Sequence, residues 1–240
     1  MASYFGEVVY PSSRAFWFSD EFDEEDQDNS ENSFEFNAEW PKGSPTSIKT
    51  LLIIEGDMIL DFFETCVLHD AKEVCKIHHG SGKPSFFYSI SEDLYICSVS
   101  PDVKLHHTGI FVDQISNILT TAKGIIAVTC SHSSQYKTME KIEAPSFLRS
   151  LTTKGTTRLE KVDAPRITQP NIVSGVCAGA LSFADAIKKP ATLYVLYVDG
   201  FSLDSISAKP LIDLCVELKC CSPHQTTVAT NVFNKGNLYI

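Results

Sequence analysis

The chain has 240 residues, 43% of them hydrophobic, enough for one domain of ordinary to large size, or at most two small ones, with a buried core. Its formal net charge of -10 comes from ten acids between Asp20 and Glu39, while the other 20 acids are matched by 20 bases. A neutral body with no basic stripe excludes electrostatic capture of nucleic acid, and no apolar run approaches the length that spans a bilayer.

In chain order, residues 1–19 hold a short apolar opening, Tyr4-Phe5-Gly6-Glu7-Val8-Val9. The acidic stretch follows, and 20–45 is predicted to be a disordered loop because like charges repel and few aliphatic residues could anchor it. Phe22, Phe34, Phe36 and Trp40 leave open a second reading, an acidic-aromatic segment that docks on a partner. The folded domain is expected over 46–230, and 231–240 reads as a flexible polar tail.

Lys49–Ile54 reads as a buried strand, and Gly56-Asp57 opens a helix with Met58, Ile59, Phe62, Phe63, Cys66 and Val67 at helical spacing. Ser85–Ile90 and Leu94–Val99 are predicted strands joined by a turn at Ser91-Glu92-Asp93. A helix is predicted over Gly109–Ala122, with Ile110, Phe111, Ile115, Ile118 and Leu119 inward and Gly124 ending it. Ile125–Cys130 is a further strand, Ser131–Ile167 is expected to be irregular, and Asn171–Lys188 is predicted helical up to Pro190. Ala191–Val198 is the longest strand candidate, followed by a short helix over Lys209–Lys219 with Pro210 in its first turn. Apolar strands alternating with helices specify an α/β fold: a three-layer αβα domain with a mainly parallel sheet covered on both faces.

Several motifs invite a chemical reading. Gly175-Val176-Cys177-Ala178-Gly179 has the letters of a nucleophile elbow, but no strand precedes it, and its small residues suit close helix packing. Ser81-Gly82-Lys83-Pro84-Ser85 lacks the first glycine and the hydroxyl of a phosphate loop and reads as a turn. The pairs His78-His79 and His106-His107 are adjacent residues, which rarely bind one ion, and read as loop histidines. Cys220-Cys221-Ser222-Pro223-His224 lacks the spacing of a zinc knuckle. No metal or cofactor is expected. The eight cysteines lie mostly in apolar runs and no signal peptide is visible, so they are read as reduced thiols of a cytoplasmic or nuclear protein, with the endoplasmic reticulum surface a further location.

The chain ends Leu238-Tyr239-Ile240, a hydrophobic residue, a tyrosine and a terminal residue with a free carboxylate. The plain readings of such an end are a frayed terminus or a last strand on the sheet. Taken together, Tyr4–Val9, Tyr136-Lys137-Thr138, Ser146-Phe147-Leu148-Arg149-Ser150-Leu151, Gln169-Pro170-Asn171-Ile172-Val173, Pro190–Tyr197 and Asn237–Ile240 resemble the animal proteasome assembly chaperone family. The resemblance implies a phosphorylase- or hydrolase-like fold without a catalytic site. It implies a heterodimer with a second assembly chaperone, proteasome assembly chaperone 2, which binds the proteasome α-ring, promotes its formation and prevents off-pathway ring pairing. Leu238, Tyr239 and Ile240 would then be the partner-binding residues, entering a pocket between α subunits. An α/β nucleosidase or hydrolase, and an adaptor working through the acidic segment, are the competing readings.

Overall fold

The computed structural model describes residues 35–41, 43–139, 142–154, 162–200 and 202–220. These belong to the compact unit Glu35–Ile240; the other unit, Met1–Phe34, lies outside the described residues.

The chain order is β1 (Phe36–Glu39), β2 (Ile48–Ile54), α1 (Asp57–Phe63, extended by a π turn over Glu64–Leu68), β3 (Lys72–His79), β4 (Ser85–Ser89) and β5 (Leu94–Ser98). Then come α2 (Thr108–Gln114), α3 (Ser116–Thr121), β6 (Ala122–His132), β7 (Ser146–Thr152), α4 (Val176–Ala186), β8 (Ala191–Val198) and α5 (Lys209–Glu217). The strands form one sheet in the order β1-β3-β4-β5-β2-β6-β8-β7. The centre, β5-β2-β6-β8, is parallel. Antiparallel β4, β3 and β1 extend one side, and antiparallel β7 closes the other.

Alternation along the central strands divides two cores. Leu52, Ile54, Ile96, Val128, Tyr194, Leu196 and Val198 face Ile59, Phe62 and Phe63 of α1 and Leu211 and Leu214 of α5. The opposite face is covered by α4 lying on β6 and β8, with α2 packed against α4. This is the three-layer arrangement expected from the strand composition. All eight residues of β8 are buried, so the strand is apolar on both faces, and each large aliphatic side chain there contributes roughly 1.5–3 kcal/mol. Gly179 lets α2 and α4 approach: a Cβ there would lie 3.0 Å from Val112 and 3.1 Å from Thr108.

Several expectations are corrected. The stretch 20–45 is not loop throughout: Phe36–Glu39 is an edge strand, held by pairing to β3 and by Phe36 edge-on to Phe111 at 5.1 Å. His78 and His79 are not loop residues but the end of β3, in which Cys75, Ile77 and His79 are buried and alternate with Lys76 and His78. The helix predicted over 109–122 is broken at Ile115 into two, Ile110 is 44% exposed, and Gly124 lies inside β6 opposite Thr50 rather than capping a helix. Ser131–Ile167 contains β7, whose inward positions include Ser146 and Ser150; the Ser150 hydroxyl donates to Ala164 O at 2.7 Å, which offsets its burial. Helix α4 starts at Val176, not Asn171, because Asn171 is committed to the loop at Lys137.

Candidate functional site

In open α/β sheets ligands bind outside the carboxyl ends of the parallel strands, where neighbouring strands connect to opposite sides. Here that point falls between β2 and β6, since the chain leaves β2 for β3 on one side of the sheet and leaves β6 for β7 on the other. Glu55 directly follows β2, and its backbone N–H donates to Val128 O of β6 at 3.0 Å. That bond turns the Glu55 side chain toward the start of α4. Its Oε1 accepts the Val176 N–H at 2.9 Å and its Oε2 the Cys177 N–H at 2.8 Å. A carboxylate across the first free N–H groups of a helix is the stable partner of the positive end of the helix dipole.

Gly175 makes the arrangement sterically feasible. It has φ 97, in the region that disfavours side chains, and a Cβ there would stand 2.5 and 2.7 Å from the two Glu55 oxygens. The first N–H groups of α4, a position where a helix could receive an anion, are thus occupied by the chain's own carboxylate.

Cys177 is the only elbow candidate, and its surroundings do not activate it. Its side chain is fully buried, and its Sγ donates to Val128 O at 3.4 Å. Burial first, and the Glu55 charge second, push its thiol well above the ordinary range, the opposite of what a thiolate nucleophile needs. Burial likewise raises Cys97, and pushes Cys75 up to about 12. The small residues at 178–180 serve packing, as the sequence suggests.

The histidines do not converge on an ion. His78 Nε2 lies 4.0 Å from Glu39 Oε2, whereas His79 is buried with its ring 5.4 Å from Phe36. The His106 and His107 rings meet edge to face at 4.0 Å, and desolvation, then His106, lower the His107 pKa. Among the described residues no group of three or more His, Cys, Asp or Glu is placed to hold a metal. Residues 80–84 form the turn between β3 and β4, Ser85 opening the strand, with the Lys83 N–H donating to Asp102 Oδ2 at 2.7 Å. No described helix is long and apolar enough to cross a membrane. Leu238, Tyr239 and Ile240, and residues Cys221–His224, lie outside the described residues.

Two features were not anticipated. Glu55 carried no motif, and only its place after a buried strand could have marked it. The second is an aromatic knot at the β7 edge. Arg149 Nε donates to Tyr136 Oη at 3.0 Å, the guanidinium lies 5.1 Å from the Tyr136 ring centre and 4.8 Å from that of Phe147, and Phe147 stacks on Tyr197 at 5.2 Å.

The fold is a three-layer α/β domain in which the start of α4, at the carboxyl end of the parallel strands, is closed by the chain's own Glu55. Residues 64–236 match the family model PAC1, whose description reads Proteasome assembly chaperone 4. The chain is 30% identical over 155 residues to Proteasome assembly chaperone 1 of Homo sapiens, covering 62% of this chain and 50% of that protein. It is 37% identical over 102 residues to the protein of that name from Mus musculus, 40% of this chain and 34% of that one. The chain thus spans about half the length, or less, of the curated relatives it matches. Among solved structures it resembles Pyrococcus furiosus PbaA, an archaeal homolog of proteasome-assembly chaperone (TM-score 0.60, 12% identity, 84% of this chain and 90% of that one). It also resembles P. furiosus PbaB, an archaeal proteasome activator (TM-score 0.59, 12% identity, 84% and 96%). The chain belongs to the proteasome assembly chaperone family.

Proposed function

We propose that this chain is a non-catalytic chaperone of proteasome core assembly. It pairs with a second assembly chaperone, binds the α-ring, supports ring formation and keeps rings from pairing off-pathway. The observation that carries the non-catalytic part is the Glu55 carboxylate on the Val176 and Cys177 N–H groups, which fills the place where an enzyme of this fold would hold its substrate's anion. Family membership supports the rest. The chaperone works in the cytoplasm, with the nucleus and the endoplasmic reticulum surface as further locations.

Leu238-Tyr239-Ile240 is the docking element in this reading. Burying Leu238 and most of Tyr239 contributes roughly 1.5–3 kcal/mol each. A lysine meeting the terminal carboxylate adds about 1.5–3 kcal/mol. Ordering about five tail residues costs on the order of 1–2 kcal/mol apiece. These terms nearly cancel, so the tail alone is a weak ligand and the body, or a second tail, raises its effective concentration.

The test is co-purification from cells with and without the last three residues. Recovery of α subunits without mature β subunits by the full chain, lost on truncation, is the expected result. Recovery that does not depend on the tail, or capture of no α subunit, would overturn it.

A further inference from the structure

A cleft of about 270 Å³ opens at the amino end of β5, the end of the sheet away from Glu55. It lies on the sheet face away from α1. Tyr88 and Ile96 point into the α1 core, so their neighbours Phe87, Ser89 and Tyr95 point the other way. Trp40, Tyr95, Pro41, Pro45 and Val74 form its apolar walls, and Lys72 and Glu73 add one charge of each sign.

Two devices build the cleft. Trp40 follows edge strand β1, its ring centre lies 5.2 Å from that of Phe87, and its carbonyl accepts the Gly43 N–H at 3.1 Å. The indole is thus fixed through both side chain and backbone. On β3 the pairing to β4 slips between Glu73 and Cys75, which makes Val74 an extra residue, and a bulge of this kind re-aims a side chain. Trp40, Val74 and Tyr95 are each half-buried. Packing on Phe87 accounts for the indole ring but not for its polar edge: among the described residues nothing accepts the Trp40 Nε1–H.

Size, charge and backbone pairing define what fits. The cleft is smaller than the ~300–1,000 Å³ that holds a drug-sized ligand or cofactor. Its mouth is two strand spacings wide, about 10 Å, and so covers on the order of 100 Å², far short of the ~800 Å² each partner gives to a standard interface. An extended peptide fits it; a folded domain or a second copy of this chain does not. Strand addition is closed to that peptide, because β4 and β5 are paired on both sides and β3 bulges at Val74. A polyproline II chain needs no ladder. It has no internal hydrogen bonds, its carbonyls face outward, and its rings lie against aromatic walls. The Trp40 Nε1–H is the one donor that such a carbonyl requires. A lysine and a glutamate together leave the cleft neutral, which suits an uncharged segment better than an acidic or basic one.

We propose that this cleft binds a proline-rich segment of another protein in the polyproline II conformation, with prolines against Trp40 and Tyr95 and one carbonyl on the Trp40 Nε1–H. The inference does not depend on the tail reading above.

The test uses the full chain, labelled with nitrogen-15, and decaproline as the probe. The chain has two tryptophans, Trp17 and Trp40, so the indole region holds two cross-peaks and Trp40→Phe identifies one of them. The Trp40 peak is expected to shift on titration with decaproline and to stay in place with a Gly-Ser peptide of equal length. Affinity is read from the anisotropy of fluorescein-labelled decaproline. Trp40→Phe keeps a ring on Phe87 and removes the donor, so binding should weaken about 2- to 10-fold. Tyr95→Ala removes the second ring and should weaken it at least about tenfold. Thermal midpoints verify folding, and Tyr95→Leu, which fills the space without a flat ring, repeats the test where Tyr95→Ala is unstable. No shift with decaproline, or folded variants that bind it as the unmodified chain does, overturns the inference. A decalysine peptide that moves the Trp40 peak while decaproline does not would make the cleft a cation site and overturn it too. So would a Trp40 indole N–H already protected from solvent exchange in the free chain, since the chain would then fill the cleft itself.

Discussion

Glu55 and Cys177, 122 positions apart in the chain, meet through a 2.8 Å bond from the Cys177 backbone N–H to Glu55 Oε2. The contact joins the end of the first central strand to the start of the helix that covers the sheet's other half. Glu55→Ala is expected to cost about 2–4 kcal/mol in urea unfolding, since two charge-assisted bonds are lost and two N–H groups lose their partner. Glu55→Gln, which keeps one good acceptor, should cost about half as much.

Gly175→Ala is expected to destabilise by about 1–3 kcal/mol, from the positive φ and from the clash with the carboxylate. The two contributions separate in a double-mutant cycle. The cost of Gly175→Ala should shrink when Glu55 is already Ala, leaving only the backbone strain. Simple additivity would mean that the carboxylate does not press on this position.

Thiol chemistry gives a direct check on the closed site. In the native protein Cys177 should label with a thiol reagent only on global unfolding, because it is buried and its thiolate is suppressed. Cys130, partly exposed, should be the first to react among the described cysteines. Rapid native-state labelling of Cys177 would revive the nucleophile reading.

Asp204 supplies the acid-sensitive element. It accepts bonds from the Ile206 N–H at 3.0 Å, the Ser207 N–H at 2.7 Å and the Ser207 hydroxyl at 2.7 Å, and these hold its pKa below the usual carboxylate value. A depressed folded-state pKa means its contribution is full above about pH 3.9 and is lost as the pH falls through the lowered value. Asp204→Ala should cost about 0.5–2 kcal/mol at neutral pH. The gap from the unmodified chain should narrow as the pH falls below about 3.9, which denaturant melts at pH 7 and pH 3 will show.

Arg149→Lys is not a neutral change at the β7 edge. Lysine keeps the charge but not the flat stack on Tyr136 and Phe147 or the bond to Tyr136 Oη. A loss of about 1–2 kcal/mol, with an altered near-ultraviolet circular dichroism signal from the aromatic cluster, is expected. An unchanged spectrum would show that the ring stack forms without the guanidinium.

What could be read in advance follows from where the pattern is strong. Ala191–Val198 is buried along its whole length and β2 is buried from Leu51 to Ile54, and these apolar stretches marked both strands nearly to the residue. β7 escaped because Ser146 and Ser150 occupy buried places, satisfied by partners the sequence cannot show, such as Ala164 O. β1 escaped because its single anchoring side chain, Phe36, lies in an acidic tract and gains its meaning only against His79 and Phe111. Glu55 is one carboxylate among many until the fold brings it to α4.

The strand order also fixes a schedule during synthesis. β6 and β7 are made before β8, yet β8 lies between them. Until residue 198 has left the ribosome, β6 has one unfilled edge and β7 has no strand partner beyond the single bridge from Ser150 to Arg166. A chain halted anywhere between Thr152 and Val198 therefore carries two open strand edges ready to pair with another such chain. Completing the sheet depends on its most apolar strand arriving last and inserting in the middle.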